Sequence, residues 1–463
     1  MEDAPVNLSG GIIVKRYRFL TFLLGMALLL SLAACGGREE ELDLNSPDVA
    51  SGSQQVVVEG FDWGPAVTKT VITLNRIVKA DSVTAESFAV VENKEKLTGL
   101  PFGIHFDGDS DRTITAAYAC DAQGDPVDGS SNMIALELAY APSVGSPFCY
   151  GLFTSKNTIC DSYELKISLV EGCTLEDADG SIITGLAVTK SVDLSAAHMP
   201  QLEGVDLYDT FIGEDERVLT YASYAPANDG DKHPLVIWLH GAGEGGKNPV
   251  IALLGNEVSV LFGEEFQSVM GGAYILVPQT PEFWMVYNEK GDWQNNPGTS
   301  SVYLSSLMEL IESFVSENQD IDPNRIYVGG CSNGGYMTMD LILNYPEYFA
   351  AAFPICESYQ DAGITDQQLE GIKDLPIWFV YAENDKTVDP PKHEIPTINR
   401  LESISSEVHV SVFADVHDTS GTYTEEDGNP YQYNGHWSWI YFFNNECKDG
   451  DVNMWQWLSE QSK

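Results

Sequence analysis

The chain has 463 residues, too many for one ordinary domain, and is 43% hydrophobic and 11% aromatic, which excludes a disordered protein. Its 69 Asp and Glu outnumber 24 Lys and Arg, and the resulting net charge of −45 repels nucleic acid and anionic membrane surfaces and excludes both as partners held by charge. The eight cysteines (Cys35, Cys120, Cys149, Cys160, Cys173, Cys331, Cys356, Cys447) contain no Cys-x-x-Cys pair, so zinc has no support.

At the N-terminus Lys15, Arg16 and Arg18 precede an apolar run from Phe19 to Leu32, of signal-peptide length and short for a membrane span. The run ends in Leu32, Ala33, Ala34 and Cys35, followed by Gly36 and Gly37. This resembles the lipobox of bacterial lipoproteins. The resemblance implies a signal peptide over 1–34, lipidation of Cys35 and an extracytoplasmic protein lipid-anchored at the cell surface. Val14, directly before Lys15, fits as an initiator, which would make residues 1–13 an artefact of the gene start. Residues 35–54, with Glu39, Glu40, Glu41, Ser46 and Pro47, are polar and read as a flexible tether.

From 55 to 200 the texture is all-β. Val56–Val58, Val67–Leu74, Phe88–Val91, Thr113–Ala119, Met133–Leu138 and Leu165–Val170 are short β-branched or alternating runs separated by Gly, Asp, Asn and Pro. Regular short strands of this kind predict a β-sandwich. Asp107, Asp109 and Asp111 open like a calcium loop, but the required Gly and Glu positions hold Arg112 and Tyr118, so no metal is expected. Setting Cys35 aside leaves seven cysteines, an odd number. Cys120, Cys149, Cys160 and Cys173 could staple this region in a connectivity that spacing leaves open.

From 201 to 463 strands alternate with helices. Leu235–Leu239, Ala273–Val277, Arg325–Gly329 and Ile377–Tyr381 are buried-strand runs. Between the second and third, Leu304, Leu307, Met308, Ile311, Phe314 and Val315 fall on one helix face. This order predicts an α/β domain with a mostly parallel sheet.

Gly330, Cys331, Ser332, Asn333 and Gly334 match G-x-S-x-G between a strand and a helical pattern, the context of a nucleophile elbow. Ser332 is the expected nucleophile, with Cys331 beside it as packing. The loop His240, Gly241, Ala242, Gly243, Glu244 follows a strand at the place that supplies one oxyanion N–H, so Ala242 and Asn333 are the expected donors. His240 reads as structural, and Glu244 as either a loop anchor or a substrate contact. After the strand Ile377–Tyr381, Asp385 is the expected acid, with Asp389 and Glu383 as rivals. His436, ahead of an aromatic helical stretch, is the expected base, with His417 as runner-up. Trp284, Trp293 and Trp437 either line an aromatic or sugar-accommodating pocket or pack in the core.

The run from Asp322 through Arg325, Ser332 and Tyr336, followed by Tyr345–Pro354, together with the His240 loop and the Gly435-His436 element, resembles the prolyl-oligopeptidase-like esterases. These include feruloyl and acetyl esterases and polyhydroxybutyrate-depolymerase relatives. Asn333 departs from the Met that many of them carry. The preceding all-β region resembles Ig-like domains found before some bacterial esterases. The resemblance implies an α/β-hydrolase that needs no cofactor. It would cleave small-molecule or oligosaccharide esters of short-acyl or plant-wall type through Ser332, Asp385 and His436. A serine peptidase and a non-catalytic binding lipoprotein are the alternatives.

Overall fold

The computed structural model describes residues 42–97, 104–142, 144–151, 155–288, 298–405 and 407–463. Cys35, the signal segment and Trp293 lie outside them.

Val49–Phe61 folds back on Gly64–Val78 as a long hairpin, and a five-stranded sheet forms in the order Gly185–Val188, Val49–Phe61, Gly64–Val78, Ser131–Leu138, Ile114–Cys120. A second sheet orders Ile104–Arg112, Phe88–Leu97 and Ser162–Leu169. Their inward residues, among them Val56, Ile72, Ile134, Leu136, Val90 and Leu165, fill one core, as an Ig-like sandwich requires.

The flexible tether does not extend to residue 54. Val49–Gly52 pair with Gly185–Val188, and the Gln54 amide donates to Leu165 O at 2.8 Å. Polar side chains concealed this strand because ladder bonds come from the backbone.

Arg112 ties the two sheets together. Its guanidinium pairs with Glu92 inside the sandwich and donates to Val67 O at 2.9 Å and Ala139 O at 3.0 Å. Tyr163 OH completes the Glu92 carboxylate at 2.6 Å. With the Arg112 side chain 1% exposed, its loss would strand a buried charge. Arg112→Met is expected to cost about 3–5 kcal/mol in urea unfolding. Changing Arg112 and Glu92 together to Met should cost less, and a double variant no more stable than the single would count against the ion pair as the cause.

The second domain is an eight-stranded sheet in the order Val205–Ile212, Val218–Tyr224, Tyr274–Gln279, His233–Leu239, Ile321–Cys331, Ala351–Ile355, Ile377–Ala382, Val408–Phe413. The first two junctions are antiparallel and the remainder parallel. Helix Leu304–Glu317 buries Leu307, Met308, Ile311 and Phe314 against it. The buried apolar residues of the sandwich and those under one face of this sheet form a single contiguous cluster, so the two domains share a core. No helix among the described residues is long and apolar enough to cross a membrane.

Candidate active site

Strand Ile321–Cys331 ends at Ser332, whose φ of 56° and ψ of −112° put it in a sparsely populated region. Helix Asn333–Asn344 starts immediately after it. The flanking glycines are required by contact. A Cβ on Gly330 would lie 2.4 Å from Leu239 O, and one on Gly334 1.9 Å from the same oxygen. The elbow is therefore pressed against the end of the strand that feeds the His240 loop. Ser332 N donates to Ile355 O at 2.9 Å, and Ser332 O accepts from Ser358 Oγ at 3.1 Å.

Asp385 sits on the turn after Ile377–Ala382, with its side chain fully buried. Its Oδ1 accepts from the Thr387 and Val388 amides at 2.8 and 3.0 Å. Its Oδ2 meets His436 Nδ1 at 2.7 Å. That bond leaves Nε2 of His436 as the nitrogen able to take a proton. The rivals are engaged elsewhere: Asp389 pairs with Lys392 at 2.7 Å, Glu383 is exposed, and His417 pairs with Asp415 at 2.6 Å.

Ser332, His436, Asp385, Ala242 and Asn333 line one cleft of about 1250 Å³. Asn333 opens its helix, so its N–H has no acceptor within the helix. Its side-chain oxygen accepts from the Trp284 and Met285 amides at 2.6 and 3.4 Å, which fixes the segment walling the cleft.

His240 is fully buried, and burial pushes its ring down to about 4. As a neutral ring it donates from Nδ1 to Gly241 O at 2.6 Å and accepts at Nε2 from Thr280 N at 3.2 Å. It shapes the loop.

Glu244 is a loop anchor. Its backbone oxygen takes Gln279 Nε2 at 2.7 Å, and its carboxylate takes Asn157 Nδ2 at 3.3 Å. Burial raises this carboxyl from 4.5 to about 7. The fold therefore holds the proton more tightly than the unfolded chain does. Its stabilisation is complete below about 4.5 and is lost as pH rises through about 7. Glu244→Gln is expected to remove roughly 3 kcal/mol of that loss. Urea unfolding at both ends of the window measures it, and an unchanged pH slope would contradict the assignment.

Trp437 lines the cleft. Trp284 does not: it is 0% exposed and packs on His240 at 5.1 Å and on Tyr303 at 6.4 Å. Its indole fills the space behind the His240–Glu244 loop.

Sequence reading missed the sandwich side of the cleft. Asp62, Trp63, Tyr150, Ser155 and Asn157 line it from the first domain. Asp62 also bonds Glu257 across the domain junction, where burial and the neighbouring carboxylate push Glu257 up. No local pattern marks these residues, because their role exists only once the domains dock. Glu357 and Glu394 were also missed. Both are fully buried, and burial raises the pKa of each carboxyl well above its ordinary value. The Glu357 backbone supports the helix after Ser332, lying 2.8 Å from where a Gly335 Cβ would stand.

Residues 53–184 match the family described as "Esterase Ig-like N-terminal domain", and residues 225–425 that described as "Phospholipase/Carboxylesterase". The chain is 34% identical over 128 residues to a poly(3-hydroxybutyrate) depolymerase of Ralstonia pickettii, covering 27% of this chain and 25% of that one. It is 26% identical over 170 residues to poly(3-hydroxyalkanoate) depolymerase C of Paucimonas lemoignei, covering 35% and 36%. The chain thus spans between a quarter and about a third of the length of these curated relatives. A solved thermostable esterase superposes with a TM-score of 0.69 at 26% identity, covering 89% of this chain and all of that one.

Proposed function

On the premise that this chain joins an esterase Ig-like N-terminal domain to an α/β-hydrolase domain of the phospholipase/carboxylesterase family, we propose that it is a serine carboxylesterase working through Ser332, His436 and Asp385. The observation that carries the reading is the 2.7 Å bond from His436 to a fully buried Asp385, in the cleft that also holds the elbow serine.

In the proposed cycle His436 Nε2 takes the Ser332 hydroxyl proton as Oγ attacks the ester carbonyl. The Ala242 and Asn333 N–H groups hold the oxyanion. As the C–O bond breaks, the imidazolium returns its proton to the leaving alkoxide. Water, deprotonated by His436, then cleaves the acyl-enzyme and regenerates Ser332. Asp385 keeps the imidazole in one tautomer and balances its transient charge. None of these steps requires a cofactor.

The substrates proposed are neutral esters of short-acyl or plant-wall type. Trp63, Phe283 and Trp437 offer apolar faces to the acyl group. Support for ester cleavage also comes from the depolymerase and esterase likenesses, which add polyester oligomers to the candidates. We place the enzyme outside the cytoplasm, anchored through Cys35, on the basic n-region, the apolar run and the lipobox. The test is hydrolysis of p-nitrophenyl acetate and of peptide anilides by residues 36–463 and by the Ser332→Ala variant. Equal ester rates in the two proteins, or turnover of anilides alone, would overturn the reading.

A further inference from the structure

Between the sandwich and the hydrolase domain stands a small ribbon, Phe148–Gly151 paired with Lys156–Ile159. Among the described residues it pairs with no other strand. A two-stranded ribbon is marginal alone, yet this one carries side chains into the catalytic cleft. Tyr150, Ser155 and Asn157 line the cleft. Asn157 reaches the Glu244 carboxylate at 3.3 Å, and its Nδ2 lies 3.2 Å from where a Cβ on Gly243 would stand. Lys156 donates to Pro281 O at 2.9 Å and lies over the Phe283 ring at 5.3 Å. The ribbon thus rests directly on the oxyanion loop.

At its base sit Cys149 and Cys160, both buried. Cys149 faces Thr158 in the ladder, and the Cys160 amide donates to Pro147 O at 3.0 Å, so the two cysteines are diagonal neighbours across the ribbon. Their sulfurs approach to 2.7 Å. A shift of a few tenths of an ångström by each would bring them to bonding distance, about 2.0 Å.

We propose that Cys149 and Cys160 form a disulfide that ties the two sides of this ribbon to each other and so stiffens the support that Asn157 gives the His240–Glu244 loop, making the ribbon a redox-sensitive brace of the active site. The bracing role rests on the esterase reading above; the bond itself does not. The step is thiol–disulfide exchange with a small-molecule or protein disulfide RSSR. One cysteine thiolate attacks RSSR and releases RSH, and the second attacks the mixed disulfide and releases another. Two protein thiols are oxidised, one RSSR is reduced to two RSH, and the two thiol protons end on the two RSH.

The test maps the bond first. Protein equilibrated with glutathione disulfide is denatured in excess alkylating reagent and digested with trypsin without reduction. Cleavage after Arg112, Lys156 and Lys166 should yield residues 113–156 joined to 157–166, with the alkyl group on Cys120. Alkylation of both Cys149 and Cys160, or a bond from Cys160 to Cys120 or Cys173, would overturn the proposal. The second readout is p-nitrophenyl acetate kinetics. Dithiothreitol should lower kcat roughly fivefold with KM nearly unchanged, as a loosened oxyanion loop would. The Cys149→Ser/Cys160→Ser variant should show the reduced protein's kcat with or without reductant. A linked peptide with reductant-insensitive turnover would overturn the bracing role. A protein without esterase activity would still report on the bond through the peptides.

Discussion

Ser332→Ala is expected to lower p-nitrophenyl acetate turnover by on the order of 10⁴–10⁶ while leaving the fold intact. Removing the hydroxyl deletes the atom that would form the acyl-enzyme, and the base then has no nucleophile beside it. Alanine fits the site, since the change removes one oxygen from a half-buried side chain. The backbone bonds of residue 332, N to Ile355 O and O from Tyr336 N, do not involve the hydroxyl. Unfolding in urea should therefore change little. Alanine at 332 keeps the unfavourable φ of 56° that serine already carries, so the strain is common to both proteins. Any residual rate would report what the proposed oxyanion donors and binding supply alone. A variant as active as the parent would remove Ser332 from the chemistry.

Asp385→Asn should cost about 10⁴ in kcat, and Asp389→Asn only a few-fold at most. The difference follows from what each carboxylate touches. Asp385 is buried, takes two backbone amides on one oxygen and the His436 ring on the other. An asparagine there, with its oxygen kept on the amides, would turn an NH₂ toward Nδ1. The imidazole would then be driven to carry its proton on Nε2, the nitrogen the proposed cycle needs free to accept one. Asp389 is partly exposed and spends its charge on Lys392, a pairing worth little in solvent. If Asp389→Asn proved the more damaging change, the acid would have to be reassigned and the Asp385–His436 contact would become structural. Circular dichroism and unfolding midpoints keep a folding defect from being read as a catalytic one.

Much of the catalytic domain was legible because its signals are local. The Gly330 and Gly334 positions are forced by backbone contact with Leu239, so the elbow announces itself in five residues. Helix Leu304–Glu317 wrote its buried face at helical spacing. The strands at 235, 273, 325 and 377 are apolar on both faces because helices cover both sides of a parallel sheet. Other elements were silent. Val205–Ile212 lies at the sheet edge, where a register shift between Asp206 and Asp209 breaks its alternation, and Val49–Gln54 pairs through its backbone under Ser, Gly and Gln. Neither presents a hydrophobic period. Trp284 could be read either way from sequence, because an indole packs a core or lines a pocket with the same chemistry. Its contact with His240 places it in the core.

By itself the sequence determined the two domain types, the strand–turn–helix elbow at Ser332 and the chain order of the candidate triad, since each rests on constraints that neighbouring residues impose on one another. Tertiary structure alone decided which of Asp385, Asp389 and Glu383 reaches His436, because that depends on where a turn delivers a carboxylate across 51 residues of chain. It alone decided that the sandwich is part of the cleft. Asp62, Trp63 and Asn157 carry no motif, and they share the cleft with Ser332 because the two domains bury one continuous apolar surface between them. Burial of that surface is non-directional and depends on the whole docked shape, which no short stretch of chain encodes.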